Sequence, residues 1–509
     1  MKKRFTVTKI LCALLLAALC LPLAACAGKA YTPSGRADAN VYNRNENLPS
    51  VEMEQQEGEQ TGGRKLVENP FVSTAQQPVS TFSADVDTAS YALFRKLVGE
   101  QNRSLEALRS GYYSDAFRTE EFINYFKYQA NLPEGDDLFG VTSAVSVCPW
   151  NEENALLRLT LRASDAIPSA GNNLVFLIDV SGSMANDDKL PLLQKCFGYL
   201  TDQLTSRDRV SIVTYASGER VVLENCPGNE GATIRQALNG LKASGSTNGE
   251  AGMKKAYEIA AQYKIEGGNN RIIMASDGDL NVGISSAEEL KKFVEEKRDG
   301  GIFLSVLGFG TGNYRDRNME AIADHGNGVY YYIDGESEAR RVLGTDLLST
   351  LYTVAKDTKL QITFNPDRVS SYRLIGYENR LLATEDFDDD TKDAGDVGAG
   401  HQVTVCYELK LTETALTADD EWMKLAVRYK RPDENQSLLN EYSIGASAYS
   451  ADPDDDFRFL AAVIETVMLL NNSNYLPASV TKSTILSNLD LLNLTDPYRM
   501  EFHTLVGKI

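Results

Sequence analysis

Histidine is scarce in this chain of 509 residues, which contains only three: His325, His401 and His503. None of them lies near a convincing nucleophile motif, and Ser181 and Ser183 lack the G-x-S-x-G elbow of many serine hydrolases. We therefore predict that the protein is not an enzyme. A hydrolase that uses a metal-bound water is the enzymatic alternative, with Asp279 as the local candidate for its general base.

Cysteine is also sparse, with seven in the whole chain. Cys12, Cys20 and Cys26 lie at the amino terminus, and the other four are Cys148, Cys196, Cys226 and Cys406. Their spacing fits no zinc motif, and four cysteines do not make a disulfide framework for a chain of this size. A Cys148–Cys406 disulfide is left open.

Positive charge is in deficit, because 51 Lys and Arg face 71 Asp and Glu, for a net charge of −20. Removal of residues 1–25 would delete four positive charges and no negative ones, so the remaining chain would be near −24. This balance opposes nucleic-acid binding and direct docking on anionic lipid.

Long apolar runs are missing except at the amino terminus, where Ile10 to Leu23 follows Lys2, Lys3, Arg4 and Lys9. A basic start, a short apolar core and small residues are typical of a secretory signal, here residues 1–25. Leu23-Ala24-Ala25-Cys26 resembles a bacterial lipobox, whose cysteine is acylated. That resemblance implies a lipid-anchored, extracytoplasmic protein, and the alternative is plain cleavage near Ala27. The polar residues 26–75 are predicted to be a disordered tether.

The most informative segment that is present runs from Asp179 to Ser183. It follows the apolar run Leu174 to Ile178, which we predict to be a buried parallel strand. Asp179, Ser181 and Ser183 are two residues apart, so in the turn after a strand their side chains can converge on one point. A second apolar run ends at Ser276 and is followed by Asp277.

Thr247 lies between these two strands in a turn-rich loop ahead of a helix. Ligands gather at the carboxyl ends of strands in open α/β sheets, so we expect the loop and both strand ends to meet. Hydroxyl and carboxylate oxygens suit Mg²⁺, or Ca²⁺ or Mn²⁺, and not a soft metal. Helix caps and turns use the same residue types and are the alternative interpretation.

D-x-S-x-S, the loop threonine and S-D-G-D together resemble the metal-ion-dependent adhesion site of von Willebrand factor A domains. The resemblance implies that Ser181, Ser183 and Thr247 are direct ligands of the ion. It implies that Asp179 and Asp277 act mainly through water. An acidic residue of a partner protein would then complete the coordination, with loops near Asn186, Thr247, Asn281 and Arg315 selecting that partner.

Alternating strand and helix patterns predict an α/β fold, with a doubly wound, mostly parallel sheet. The strand candidates are Asn173 to Asp179, Val210 to Tyr215, Arg220 to Leu223, Arg271 to Ser276, Ile302 to Leu307 and Val329 to Ile333. The strand at Arg220 is predicted to be an antiparallel edge. On both sides of this region period-two alternation predicts antiparallel strands, and we favour their pairing into one β-rich unit around an inserted central domain over two separate domains.

Further segments resemble YfbK-type lipoproteins: Asn69 to Thr74, Asp85 to Tyr91, Glu120 to Phe126 and Leu374 to Arg380. The resemblance covers residues 69–470. After the signal peptide (1–25) and tether (26–75) predicted above, it implies an amino-terminal flanking domain (76–168), a von Willebrand factor A domain (169–355) and a carboxy-terminal domain (356–509). Helices are expected from Asp87 to Phe126, from Asp455 onward and over Val480 to Leu492.

The function predicted from these features is capture of a protein ligand through a divalent cation, by a protein anchored at Cys26. A structural envelope scaffold without metal-dependent binding is the alternative from another class.

Overall fold

A computed structural model describes residues 67–509 apart from 111–112, 114–115, 167–169, 279–286, 311–315, 418–420 and 433. The predicted signal peptide, Cys26 and most of the predicted tether therefore lie outside the described residues. So do Asp279, Asn281 and Arg315. Within the described residues no helix has the length and apolar character needed to cross a membrane.

The amino-terminal part contributes short strands and helices before a long hairpin. Its elements are β1 (Val72–Ser73), β2 (Val79–Ser83), α1 (Ala89–Arg95), α2 (Leu105–Leu108), α3 (Thr119–Tyr125), β3 (Phe139–Cys148) and β4 (Asn151–Ala163). The helical stretch predicted from Asp87 to Phe126 is thus broken into short helices. Their aromatic faces still pack together, with the rings of Tyr91 and Phe122 5.5 Å apart.

The central part alternates strands and helices. Its elements are β5 (Asn172–Asp179), α4 (Leu190–Thr201), β6 (Arg209–Tyr215), β7 (Glu219–Pro227), α5 (Gly231–Asn239), α6 (Gly249–Gln262), β8 (Asn269–Ser276), α7 (Ala287–Asp299), β9 (Phe303–Phe309), α8 (Asp316–His325), β10 (Tyr330–Ile333), α9 (Glu336–Arg340) and α10 (Leu347–Leu351).

These central strands form one sheet in the order β10-β9-β8-β5-β6-β7. Its pairs are parallel except β6–β7, which is antiparallel at the edge, as the sequence predicts. β5 and β8 are neighbours in register, with Ile178 opposite Ala275. Both are buried along their whole length, because helices cover both faces of the sheet. The predicted doubly wound α/β architecture is confirmed.

The carboxy-terminal part supplies antiparallel strands and then three helices. Its elements are β11 (Thr353–Phe364), β12 (Val369–Ile375), β13 (Gly395–Gly398), β14 (Gln402–Leu411), β15 (Glu421–Lys430), β16 (Leu438–Gly445), α11 (Asp455–Leu470), α12 (Lys482–Asp490) and α13 (Pro497–Lys508). Helices α11 and α12 fall where the sequence predicts them, whereas α13 was not predicted.

Strands from both ends of the chain share sheets, which is the predicted pairing across the insertion. One sheet has the order β1-β12-β14-β4-β3, and the other has β13-β11-β15-β16 with β2 paired to β11. Within the first sheet Val403 on β14 lies opposite Leu161 on β4. The two sheets contact each other through aromatic side chains, since the ring of Phe364 on β11 lies 5.4 Å from that of Tyr407 on β14. Cys148 and Cys406 lie in this unit as free, buried thiols.

The central domain enters and leaves this β-rich unit at adjacent points. Asn172, the first residue of β5, donates a hydrogen bond from Nδ2 to the hydroxyl of Tyr352, 2.7 Å away, immediately before β11. The same amide contacts Asp208 Oδ1 at 2.6 Å. The two connections therefore lie side by side at the amino-terminal edge of the central sheet.

A second contact fixes the central domain through a largely buried group of charges, here called the junction cluster: Arg380 with Asp85, Asp87, Glu320 and Asp324. The guanidinium of Arg380 contacts these four carboxylates at 3.3, 3.4, 3.1 and 3.0 Å. Asp85 and Asp87 belong to the amino-terminal part, Glu320 and Asp324 to α8, and Arg380 to the carboxy-terminal part. One arginine thus joins all three parts of the chain.

Candidate functional site

The D-x-S-x-S segment begins at the last residue of β5 and turns at once into a short 3₁₀ helix, Gly182–Ala185. Asp179 is fully buried, and its Oδ1 accepts a hydrogen bond of 2.8 Å from the Ser181 backbone N–H. This Asx-type contact turns the chain so that Ser181 and Ser183 face the same way. Their hydroxyl oxygens lie 3.0 Å apart, with Ser181 buried and Ser183 exposed.

The end of the neighbouring strand meets this turn. The hydroxyl of Ser276, the last residue of β8, donates to Asp179 Oδ2 at 3.4 Å, and Asp277 follows directly. Asp277 is only 4% exposed. The structure therefore brings the two predicted acidic residues to one edge of the sheet, because β5 and β8 are adjacent and parallel.

The loop that carries Thr247 is bonded to the same edge. The Gly182 N–H donates to the Gly245 carbonyl at 3.0 Å, and the Ser244 N–H donates to the Val180 carbonyl at 2.7 Å. Gly245 has a φ of +85°, and a Cβ there would lie 2.5 Å from Ser217 Oγ, so the turn requires glycine. Thr247 itself is half-buried and lies two residues before the start of α6. All five predicted site residues thus lie on segments that meet at this rim.

Burial dominates the electrostatics of Asp179. Desolvation raises its pKa to about 6, and the nearby Asp277 acts in the same direction. The Ser181 N–H and hydroxyl partly offset this rise by stabilising the carboxylate. A buried acid whose ionised form is disfavoured gains from a nearby positive charge.

Lys189 supplies a positive charge that the sequence reasoning missed. Its Nζ lies 2.8 Å from Asp277 Oδ2 and donates to the Ser183 carbonyl at 3.0 Å. The side chain is buried, with its methylene stem against Gly310 at the end of β9, where a Cβ would lie 2.4 Å from Lys189 Cε. A lysine just before an amphipathic helix resembles any solvated residue, so the local pattern gave no signal of this role.

The donor chemistry of the rim fits a hard divalent cation. It combines converging serine hydroxyls, a threonine loop and two carboxyl groups, and Mg²⁺ favours such oxygen ligands with few carboxylates. Among the described residues, no group of three or more His, Cys, Asp or Glu side chains could hold a metal ion. Ser183 and the exposed Asn186 open this rim to solvent.

Comparison with known families matches three segments of the chain. Residues 173–344 match the von Willebrand factor type A domain, and residues 59–158 match a model described as von Willebrand factor. Residues 349–509 match the carboxy-terminal model of the uncharacterized protein YfbK. The central match contains the whole candidate site.

Whole-chain relatives include the uncharacterized protein YfbK of Escherichia coli K12, which is 40% identical over 438 residues, covering 80% of this chain and 74% of that protein. The heavy chain H3 of inter-alpha-trypsin inhibitor from Mesocricetus auratus is 26% identical over 184 residues, covering 34% of this chain and 21% of its own length.

Solved structures with a likeness to the chain include a von Willebrand factor type A protein from Catenulispora acidiphila. Its TM-score is 0.38 at 18% identity, with 64% of this chain and 76% of that chain covered. The ArnB paralog VWA2 from Sulfolobus acidocaldarius has a TM-score of 0.36 at 14% identity, with 73% of this chain and 98% of that chain covered.

Proposed function

The chain belongs to the YfbK family and carries a von Willebrand factor type A domain, and from this premise we propose that it captures a protein ligand through a divalent cation. Domains of this type often take part in protein interactions and adhesion and commonly bind a divalent metal. The proposed ligands of the ion are Ser181, Ser183 and Thr247, with Asp179 and Asp277 acting mainly through water. Mg²⁺ is the proposed ion, with Ca²⁺ or Mn²⁺ as alternatives.

One observation carries this proposal: the hydroxyl oxygens of Ser181 and Ser183 lie 3.0 Å apart above the buried Asp179, at an open edge of the sheet. When bound, the cation supplies an electrophilic position that an acidic side chain of a partner can occupy. The chain's own residues orient this site. Asp179 holds the turn through the Ser181 N–H, and Ser276 ties that carboxyl group to the next strand.

Lys189 has a distinct part in this proposal. Its ammonium group neutralises Asp277 at 2.8 Å, so that of the two carboxyl groups Asp179 is the one without an ion pair to a described residue. Few negative charges then face the ion, which leaves it electron-poor and receptive to a carboxylate from outside. A protein ligand with an exposed Asp or Glu is the partner that this charge balance favours.

The proposed location is outside the cytoplasm of a bacterial cell, with a lipid on Cys26 as the anchor. It is supported by the basic and apolar composition of residues 1–25 and by the lipobox-like Leu23 to Cys26. We propose no nucleic-acid partner, because the net charge is −20.

We propose no enzymatic activity. The three histidines lie elsewhere: His325 contacts Glu295 at 3.0 Å, His503 contacts Asp490 at 2.8 Å, and His401 is buried in the β-rich unit. The candidate general base Asp279 lies outside the described residues.

The test is a pull-down from native envelope extract with the purified protein in millimolar Mg²⁺, followed by elution with EDTA. Wild-type protein is expected to retain a partner that EDTA releases, and Asp179→Ala is expected to retain none while circular dichroism shows an intact fold. Asp299→Ala is the matched control and should bind as wild type. Asp299 is an exposed acidic residue before β9, at the amino-terminal ends of the strands, opposite the rim.

Capture that persists at full strength in EDTA or in Asp179→Ala would contradict the proposal. Metal analysis separates the alternative functions. A structural scaffold need not hold stoichiometric Mg²⁺, whereas the proposed binding protein must.

A further inference from the structure

Helix α11 contains one ionisable residue among the twelve from Phe459 to Leu470, namely Glu465. Its side chain is in the apolar stretch that packs against α3 and α12, and it is only 2% exposed. A buried carboxyl group normally has an ion pair or hydrogen bonds to offset its desolvation. Glu465 has neither with any described residue, and burial is the one factor that shifts its pKa, to about 7.

Glu465 lines a cavity of about 370 Å³ between α11, the end of α12 and the β3–β4 turn. The remaining lining residues are mainly apolar or small: Pro149, Ala461, Ala462, Asn488, Leu491 and Leu492. Leu491 stands at its mouth with 84% of its surface exposed. The cavity therefore combines an apolar wall, an opening to solvent and one unpaired acidic group.

Arg458 is the other charged residue of the cavity, and it does not neutralise Glu465. It lies two helical turns earlier on the same face of α11, which separates the two positions by about 10 Å along the axis. Its guanidinium forms ion pairs with the carboxylates of Asp452 and, at 3.7 Å, Asp455. The carboxyl group of Glu465 is thus available to a ligand that enters the cavity from solvent.

We propose that this cavity, here called the Glu465 pocket, binds a primary alkylammonium group with its alkyl chain on Leu491 and Leu492. A cavity of this size holds one long side chain or a small organic cation. An ammonium group offers three donors to a carboxylate, and the four-to-five-carbon stem of such a cation matches the apolar wall. The proposal is independent of the cation site at the rim of the central sheet.

The probe for this test is n-pentylammonium, compared with 1-pentanol as its uncharged analogue, with binding followed by NMR or calorimetry at pH 8.5. Wild-type protein is expected to bind the cation about tenfold or more tightly than the alcohol, because hydrogen bonds between charged groups are strong. Glu465→Gln keeps the shape and removes the charge, so it should erase the preference. Glu385→Gln removes an exposed acid from another element and should leave it unchanged.

A second variant tests the apolar wall. Leu491→Ala should weaken both probes by a similar factor, because it shortens the wall without touching the carboxyl group. Equal binding of the two probes by wild type, no binding of either, or a preference for the cation that persists in Glu465→Gln would overturn the proposal. In any of these cases Glu465 would have a structural role only.

Discussion

Two regions of the molecule gather acidic side chains beside the central sheet, and they use them in opposite ways. In the junction cluster four carboxylates surround Arg380, and those of Asp85, Asp87 and Glu320 are buried while that of Asp324 is partly exposed. At the rim two carboxyl groups share the site with serine hydroxyls, one lysine and an open edge. The planar guanidinium of an arginine can donate hydrogen bonds to several carboxylates at once. The neutral hydroxyls of the rim leave oxygen atoms that can coordinate a cation.

The difference shows why a count of acidic residues does not identify a binding site. The junction cluster has more carboxylates, yet its own arginine contacts each of them, so its role is to hold three parts of the chain together. The rim has fewer, and Ser183 is exposed there. Access and unused donor atoms, rather than charge density, distinguish the two regions.

The largest expected effect comes from a substitution that breaks the junction cluster. Arg380→Met would leave the buried carboxylates of Asp85 and Asp87 without this arginine, and we expect a loss of about 3–5 kcal/mol in the free energy of unfolding. Chemical denaturation measures this loss. Arg340→Met, which removes an exposed arginine with an i,i−4 pair to Glu336, should cost less than about 1 kcal/mol. Similar costs for both variants would show that the cluster does not join the parts.

The second prediction concerns pH. Glu120 lies beside the junction cluster, and burial, followed by Glu378 and Asp85, raises its pKa to about 8. The folded state therefore holds a proton that the unfolded state has released, so stability should fall as pH rises from about 5 to 8. Denaturation midpoints measured over this range should decline.

Glu120→Gln keeps a neutral side chain at every pH and should flatten this decline by on the order of 2 kcal/mol. Glu385→Gln, which is exposed, is the control and should retain the full slope. An unchanged slope in Glu120→Gln would assign the pH dependence to other carboxyl groups.

The third prediction sharpens the role of the rim. Ser183→Ala removes an exposed hydroxyl, so stability should change by less than about 0.5 kcal/mol. Mg²⁺ affinity, measured by calorimetry, should fall about tenfold, because one of the proposed direct ligands would be lost. Ser206→Ala, which removes an exposed hydroxyl just before β6 at the far end of the sheet, should keep the wild-type affinity. Equal affinity in Ser183→Ala would remove this hydroxyl from the proposed ligand set.

The smallest expected effect concerns Lys189. Lys189→Gln removes a positive charge beside the rim, and we expect Mg²⁺ affinity to rise by about threefold to tenfold. Lys195→Gln, on the exposed face of the same helix, should leave affinity unchanged. Weaker Mg²⁺ binding in Lys189→Gln would show that the lysine instead holds Asp277 in position.

The sequence was sufficient for the central sheet because its strands are apolar throughout and are separated by amphipathic helices, a pattern with a local period. The sequence also places Asp179, Ser181 and Ser183 together at one strand end, because they are close in sequence. Arg380 and its partner Asp85 are 295 residues apart, and no local period reports such a pairing. Lys189 was missed for a related reason, since its role depends on Asp277, 88 positions away.

The paired entry and exit of the central domain, joined by the Asn172–Tyr352 hydrogen bond, have a mechanical consequence. A force that pulls the amino-terminal part away from the carboxy-terminal part acts on the antiparallel sheets, where β4 and β14 are paired. It does not act on the strands of the inserted domain. A load on the rim reaches the β-rich unit through two adjacent connections and through Arg380. A force on the inserted domain is therefore expected to move it as a unit, without separating its own strands.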